Sequence, residues 1–203
     1  MTKLQTLGRI VRLQIQRGPL KCGEKPNRYY DPAPILAVDE LTLTPSGALA
    51  RLPDGPTLLD IHHAEHPQTR NNAGGNDLSV GFTSHYAAMR ARYGGHLADG
   101  IAGENILVEA AGPVDLAAIA GGLAVRLAGG GALLWLRGVR VAPPCREFST
   151  FAACSAEPET IKAALQFLDG GTRGFCCAFD GPGQARISIG DEILASAAAP
   201  PPH

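Results

Sequence analysis

The chain has 203 residues, enough for one domain, and 45% of them are hydrophobic, enough for a sizeable core. A formal net charge of −1, with only 18% charged residues, argues against binding nucleic acid or an anionic membrane by bulk charge. Five cysteines (Cys22, Cys145, Cys154, Cys176 and Cys177) form no CxxC pair. That argues against a structural zinc ribbon and for reduced thiols in a cytoplasmic protein.

The opening stretch "MTKLQTLGRIVRLQIQ" carries charges every few positions and no apolar h-region, so no secretory signal is expected. Its second half alternates. Val11, Leu13 and Ile15 face one way and Arg12, Gln14 and Gln16 the other, as in a half-buried strand. "RGPLKCGEKPNRYYDPAP" reads as loop from its Gly and Pro content. "ILAVDELTLT" and "ALARL", separated by "PSG", read as a hairpin. Residues 61–81, "IHHAEHPQTRNNAGGNDLSVG", are too polar for a core, and so long a polar loop points to function.

In "TSHYAAMRARYGG", Thr83 is the expected N-cap, with Tyr86, Met89 and Tyr93 at helical spacing and Gly94–Gly95 as the stop. "DLAAIAGG" predicts one or two helical turns capped by Asp115. "LAVRLAGGGALLWLRGVRV" predicts two strands joined through glycines, the second running into "APPCREF". "AEPETIKAALQFLDGG" is an amphipathic helix with Pro158 in its first turn. "GFCCAFDGPGQARISIGDEI" reads as a closing hairpin around "DGPG". No apolar run is long enough to span a bilayer. Eight or nine short strands, two clear helices and no β-α-β alternation predict a mainly β fold, a barrel with accessory helices. One domain is expected over residues 1–194, followed by a low-complexity, disordered tail over 195–203.

Four groups of residues could carry chemistry. Cys145 is stiffly presented behind Pro143 and Pro144, with Arg140 and Arg146 able to favour a thiolate. It reads as a nucleophile, a sulfur carrier or a soft-metal ligand. In "DIHHAEHPQTR", Asp60, His62, His63, Glu65 and His66 are candidate proton carriers, anion contacts or metal ligands, although the order is not HExxH. The glycines of "NNAGGND" suit a backbone that approaches an anion, and in "GIAGENI" Gly100 and Gly103 flank a tight turn. Cys176 and Cys177 are adjacent in a strand, point to opposite faces, and read as packing.

The order of these pieces resembles the MOSC family, named for the C-terminal domain of molybdenum cofactor sulfurase. The resemblance covers roughly residues 8 to 194. It rests on Gly100 and Gly103–Glu104–Asn105–Ile106, on Pro144–Cys145, on Arg173–Gly174–Phe175, and on the segment from Gln184 to Asp191. "NAGGNDLSVGFTSHYAAM" looks like the family's H-G-G segment, with Asn72–Ala73 where its histidine would stand. "LLDIHHAEH" replaces a G-D-x-H segment, so Asp60 with His62, or His85, would substitute.

The resemblance implies a β-barrel like the one inserted in pyruvate kinase. It implies that Cys145 carries sulfur as a persulfide or ligates molybdenum in a pterin cofactor, in reductive or sulfur-transfer chemistry. It places Asn105, Arg173, Gly74, Gly75, Asn76 and Arg146 on the cofactor side, and Asp60, His62 and His63 with Cys145 in catalysis. Pyridoxal phosphate is not expected, because no aminotransferase-like domain is present. The expected partners are a small-molecule substrate or cofactor and a cysteine desulfurase or redox protein. Two other readings stay open: a non-redox sulfur-delivery module, and a metal-dependent hydrolase built on His62, His63 and His66.

Overall fold

Leu4–Gln16 forms one long strand, β1, and the rest of the fold is hung on it. The computed structural model describes residues 4–53, 55–71 and 75–196. After β1 come two short strands, β2 (Lys21–Cys22) and β3 (Tyr29–Tyr30), then β4 (Ile35–Val38), β5 (Glu40–Thr44), β6 (Gly47–Arg51), β7 (Thr57–Leu59) and β8 (Leu78–Phe82). Helix α1 (Thr83–Tyr93), β9 (Ile106–Val108), α2 (Leu116–Ile119), β10 (Leu123–Arg126) and β11 (Leu134–Val141) follow. The described chain ends with α3 (Arg146–Ala153), α4 (Pro158–Leu168), β12 (Phe175–Phe179), β13 (Ala185–Ser188) and β14 (Glu192–Ser196). The expected tail from 197 onward lies outside the described residues, while Ala195 and Ser196 belong to β14.

Seven strands close into a barrel in the order β1-β14-β10-β11-β12-β8-β9 and back to β1. The fold is therefore mainly β, a barrel with accessory helices. β1 closes the ring by pairing with β14 along Leu4–Arg9 and with β9 along Ile10–Leu13. The interior is filled by Ile10, Leu13, Val80, Ile106, Leu123, Leu136, Phe175 and Ile193, all at most 1% exposed. Burial of this kind stabilises by about 25 cal/mol per Å² of apolar surface.

The register corrects three expectations. β1 does not alternate simply: a bulge between Ile10 and Arg12 buries both Ile10 and Leu13 and leaves Val11 40% exposed. β8 and β9 are parallel, so β8-α1-β9 is a single β-α-β crossover in an otherwise antiparallel ring. The expected hairpin around "DGPG" does not form. β12 pairs with β11 and β8, whereas β13 leaves the barrel to pair with β5.

"ILAVDELTLT" also splits at Asp39. β4 stays on β1, and β5 starts a second sheet, β13-β5-β6-β7, in which the β5–β6 hairpin forms as expected. A second core of Leu20, Tyr30, Tyr86, Met89, Leu97, Phe148 and Leu168 glues α1, α3 and α4 to the barrel.

Candidate active site

A cavity of about 290 Å³ opens at the barrel rim where β1 and β11 end and β12 begins. Its wall is supplied by Gln16, the β2–β3 region, His62, Arg70, Asn76, Ser79, the Ala102–Glu104 turn, Ala142, Pro143, Cys145, Arg173 and Cys176.

Cys145 is held by what surrounds it in sequence. β11 ends at Val141, the two prolines continue the chain in extended form, and Cys145 (φ −120°, ψ 155°) is the N-cap of α3. Its carbonyl accepts from Ser149 N at 2.9 Å, while its thiol makes no capping bond. The helix is anchored by Phe148, which is fully buried and meets the Tyr30 ring edge-on at 5.0 Å.

Glu147, in the first turn of α3, lies close enough to the Cys145 thiol for the two to interact electrostatically. Burial pushes the Glu147 carboxyl up. Its own backbone N–H, Lys21, the Cys145 thiol and Arg28 outweigh that and hold it below the usual range. Lys21 and Arg28 lie 3.9 and 4.0 Å from its oxygens.

On the opposite wall, Asp60 is fully buried and completely occupied. Its Oδ2 accepts from Gln16 N at 2.7 Å and Asn105 Nδ2 at 2.9 Å. Its Oδ1 accepts from His62 N and from the His62 ring Nδ1, both at 2.9 Å. His62 lines the cavity, with its ring held by Asp60.

Glu104 forms the inner wall and is 3% exposed. Its Oε2 accepts from Tyr86 Oη at 2.6 Å, and that hydroxyl in turn accepts from Ala102 N at 3.0 Å. Burial pushes this carboxyl up, partly countered by the Tyr86 hydrogen bond and by the Arg173 charge. Gly81 makes room for it, since a Cβ there would lie 2.9 Å from Glu104 Cγ, whereas a Cβ on Gly174 would meet Val80 O at 2.8 Å. Arg173 donates from Nη2 to Ala102 O at 3.1 Å and stands over the Phe148 ring at 5.5 Å. Arg173 Nε and Glu104 Oε1 are buried without a hydrogen-bond partner.

Of the residues expected at the site, Cys145, His62, Arg173 and Asn76 line the cavity, and Asp60 stands directly behind His62. Asn105 does not reach it. Its side chain is fully buried and bonded to Ser79 N and Oγ (both 3.0 Å) and to Asp60, so it ties β8 to the wall. His63 turns away: Nδ1 accepts from Glu65 N at 3.2 Å and Nε2 lies 3.5 Å from Thr44 Oγ1. Arg146 is exposed and outside the lining, its place beside the thiol being taken by Glu147.

Gly75 (φ +76°) is also outside the lining and packs against Arg140, which bonds Asn76; Gly74 lies outside the described residues. His85 is buried in the core side of α1, where its Nε2 accepts from Val114 N at 3.2 Å. Among the described residues no group of three or more His, Cys, Asp or Glu side chains could share one ion, so His62, His63 and His66 do not converge.

Arg70 and Glu147 were not singled out in the sequence, Glu104 entered only as part of the resemblance motif, and Cys176, expected to be packing, lines the cavity instead. Period 2 does separate the adjacent cysteines, with Cys177 fully buried in the core and Cys176 turned to the cavity. Burial raises the Cys176 thiol, against the lowering effect of Arg173 and Arg140.

No known family profile and no curated protein sequence matches this chain. Its fold is similar to that of the YUAD protein from Bacillus subtilis, with a TM-score of 0.58, 16% identity, and 97% of this chain and 98% of that one covered. It is also similar to a solved hypothetical protein, with a TM-score of 0.52 and 15% identity over 93% of this chain and 69% of the other. At these identities the likeness concerns the fold alone.

Proposed function

We propose that this chain is a MOSC-type sulfur carrier in which Cys145 takes sulfur as a persulfide inside the rim cavity and passes it on. The observation that carries the reading is a half-buried thiol in a cavity whose wall carries three cations, Lys21, Arg70 and Arg173. The only acid among the described lining residues is Glu104, which burial holds back from ionising. Cationic groups around a recessed thiol favour a sulfur anion. The Asp60-oriented His62 at the far wall handles the proton. Tyr30 and Phe148 shield the thiol from bulk water.

The test is intact-mass and peptide mapping after incubation with a cysteine desulfurase and cysteine. A persulfide on Cys145, absent in Cys145→Ser, is the expected result. Unmodified Cys145 after full turnover of the desulfurase refutes the reading.

A second reading is binding of a molybdenum-pterin cofactor, favoured by the same thiol, which suits a soft metal, and by the arginines, which suit a phosphate. When bound, that group would supply redox chemistry at the metal, with Cys145 as its protein ligand and Arg173 and Arg70 on its anionic groups. A volume of about 290 Å³ is at the low edge for a ligand of that size, which favours the sulfur-carrier reading. Stoichiometric molybdenum in protein from a cofactor-producing host, lost in Cys145→Ser, would reverse that order.

A further inference from the structure

A sulfur carrier needs a donor, and the cavity restricts which one. Cys145 is recessed on the wall of a cavity of about 290 Å³, so sulfur arrives most directly in a molecule small enough to enter. The charge of the wall restricts it further. Lys21, Arg70 and Arg173 line the cavity, and among the described residues Lys21 alone of the three has an acidic neighbour within 4 Å, Glu147. Arg173 lines the same cavity as Cys145 and Cys176, and its charge interacts first with Glu104, then with Tyr30 and the two thiols. A guanidinium on the wall of a small cavity suits an oxyanion.

We propose that the cavity is a sulfurtransferase site for small anionic sulfane-sulfur donors of the thiosulfate and thiosulfonate class, with Cys145 as nucleophile and Arg173 as the contact for the oxyanion. This rests on the sulfur-carrier reading and names its substrate class. The Cys145 thiolate attacks the outer, sulfane sulfur of thiosulfate. A new bond forms between Cys145 Sγ and that sulfur, and the sulfur–sulfur bond of thiosulfate breaks, its electron pair leaving with sulfite. Cys145 ends as a persulfide, the sulfite leaves as a dianion beside Arg173 and Arg70, and the thiol proton has gone to solvent. No external oxidant or reductant enters this half-reaction. A thiophilic acceptor such as cyanide then removes the outer sulfur as thiocyanate and regenerates the thiolate.

The experiment follows sulfite release from sodium thiosulfate in a single turnover, the mass of the Cys145 peptide, and steady-state thiocyanate formation with cyanide. One sulfite per chain and a gain of one sulfur on Cys145 are expected, both abolished in Cys145→Ser. Arg173→Met raises KM for thiosulfate by about 10- to 100-fold, the range for a lost hydrogen bond to a charged group, and Arg173→Lys recovers part of it. Should Arg173→Met fail to fold, Arg70→Gln, on an exposed side chain, raises KM in the same direction.

Sulfur loading from a desulfurase but not from thiosulfate overturns this inference and leaves the carrier reading standing. Loading from neither overturns both. Equal KM in the wild type, Arg173→Met and Arg70→Gln overturns the anionic-donor assignment.

Discussion

Replacing Asn105 with Ala separates a ligand contact from a structural tie. The Asn105 side chain accepts from Ser79 N and Ser79 Oγ and donates to Asp60 Oδ2, with a weaker contact to Gln14 O at 3.3 Å. The two neutral bonds contribute about 1 kcal/mol each, and the bond to a buried carboxylate about 2 kcal/mol. Asn105→Ala is therefore expected to lose about 4 kcal/mol, which for a chain of this size lowers Tm by about 8–16 °C.

Urea denaturation followed by circular dichroism measures the loss directly, with an unchanged m-value as the check on two-state behaviour. A companion variant, Asn105→Asp, keeps the shape but sets a second carboxylate against Asp60, and is expected to be at least as unstable. A loss below about 1 kcal/mol, accompanied by weakened ligand binding, would refute the structural assignment.

Three other perturbations probe neighbouring parts of the site. Glu104→Gln removes a carboxyl whose folded-state pKa is raised by burial. The contribution of this group to stability is fully present below the ordinary carboxyl value of 4.5 and is lost as pH rises through the folded-state value, so the variant is expected to remove that component from a pH series of melts. Tyr86→Phe strips a hydrogen bond from Glu104 and one from Ala102 N, and is expected to cost about 2–4 kcal/mol by urea denaturation. Gly47→Ala asks a non-glycine residue to take φ +122° and puts a Cβ 2.8 Å from His63 Cα. It is expected to lose stability by more than about 1 kcal/mol and to disturb the His62 turn, seen as altered exchange of the His62 amide.

The barrel was legible from period-2 patterning, Gly-rich turns and two well-marked helices. α4 forms as expected with Pro158 at its first position, and Asp115 caps α2 by accepting from Ala118 N at 2.8 Å. α3 was not legible. Its eight residues include Ser149, Thr150 and two phenylalanines, which have weak helical propensity, and it owes its stability to Phe148 and Ala152 packing in the second core.

The hairpin expected at "DGPG" failed because turn chemistry does not reveal that β13 finds a better partner in β5, far away in sequence. Cys145 could be found from its prolines and neighbours. The separation of His62 from His63 could not, because it depends on Asp60 being fixed by Gln16 and Asn105 across the barrel. Gln14 and Gln16 looked like solvent-facing residues for the same reason. Both are buried, donating to Gly100 O and Gly103 O at 2.6 and 2.7 Å, and so hold the turn that carries Glu104.

The pairing of β1 with β14 has a consequence for how this protein is made. β1 emerges first from the ribosome among these strands, yet one of its edges waits for residues 192–196 before the ring can close. Until then the Leu4–Arg9 half of that strand presents unpaired amides, a template for intermolecular pairing. Closure at such long sequence separation is slow relative to local hairpins. Yield on expression should thus depend on chaperone capacity and temperature more steeply than the stability of the finished barrel would suggest.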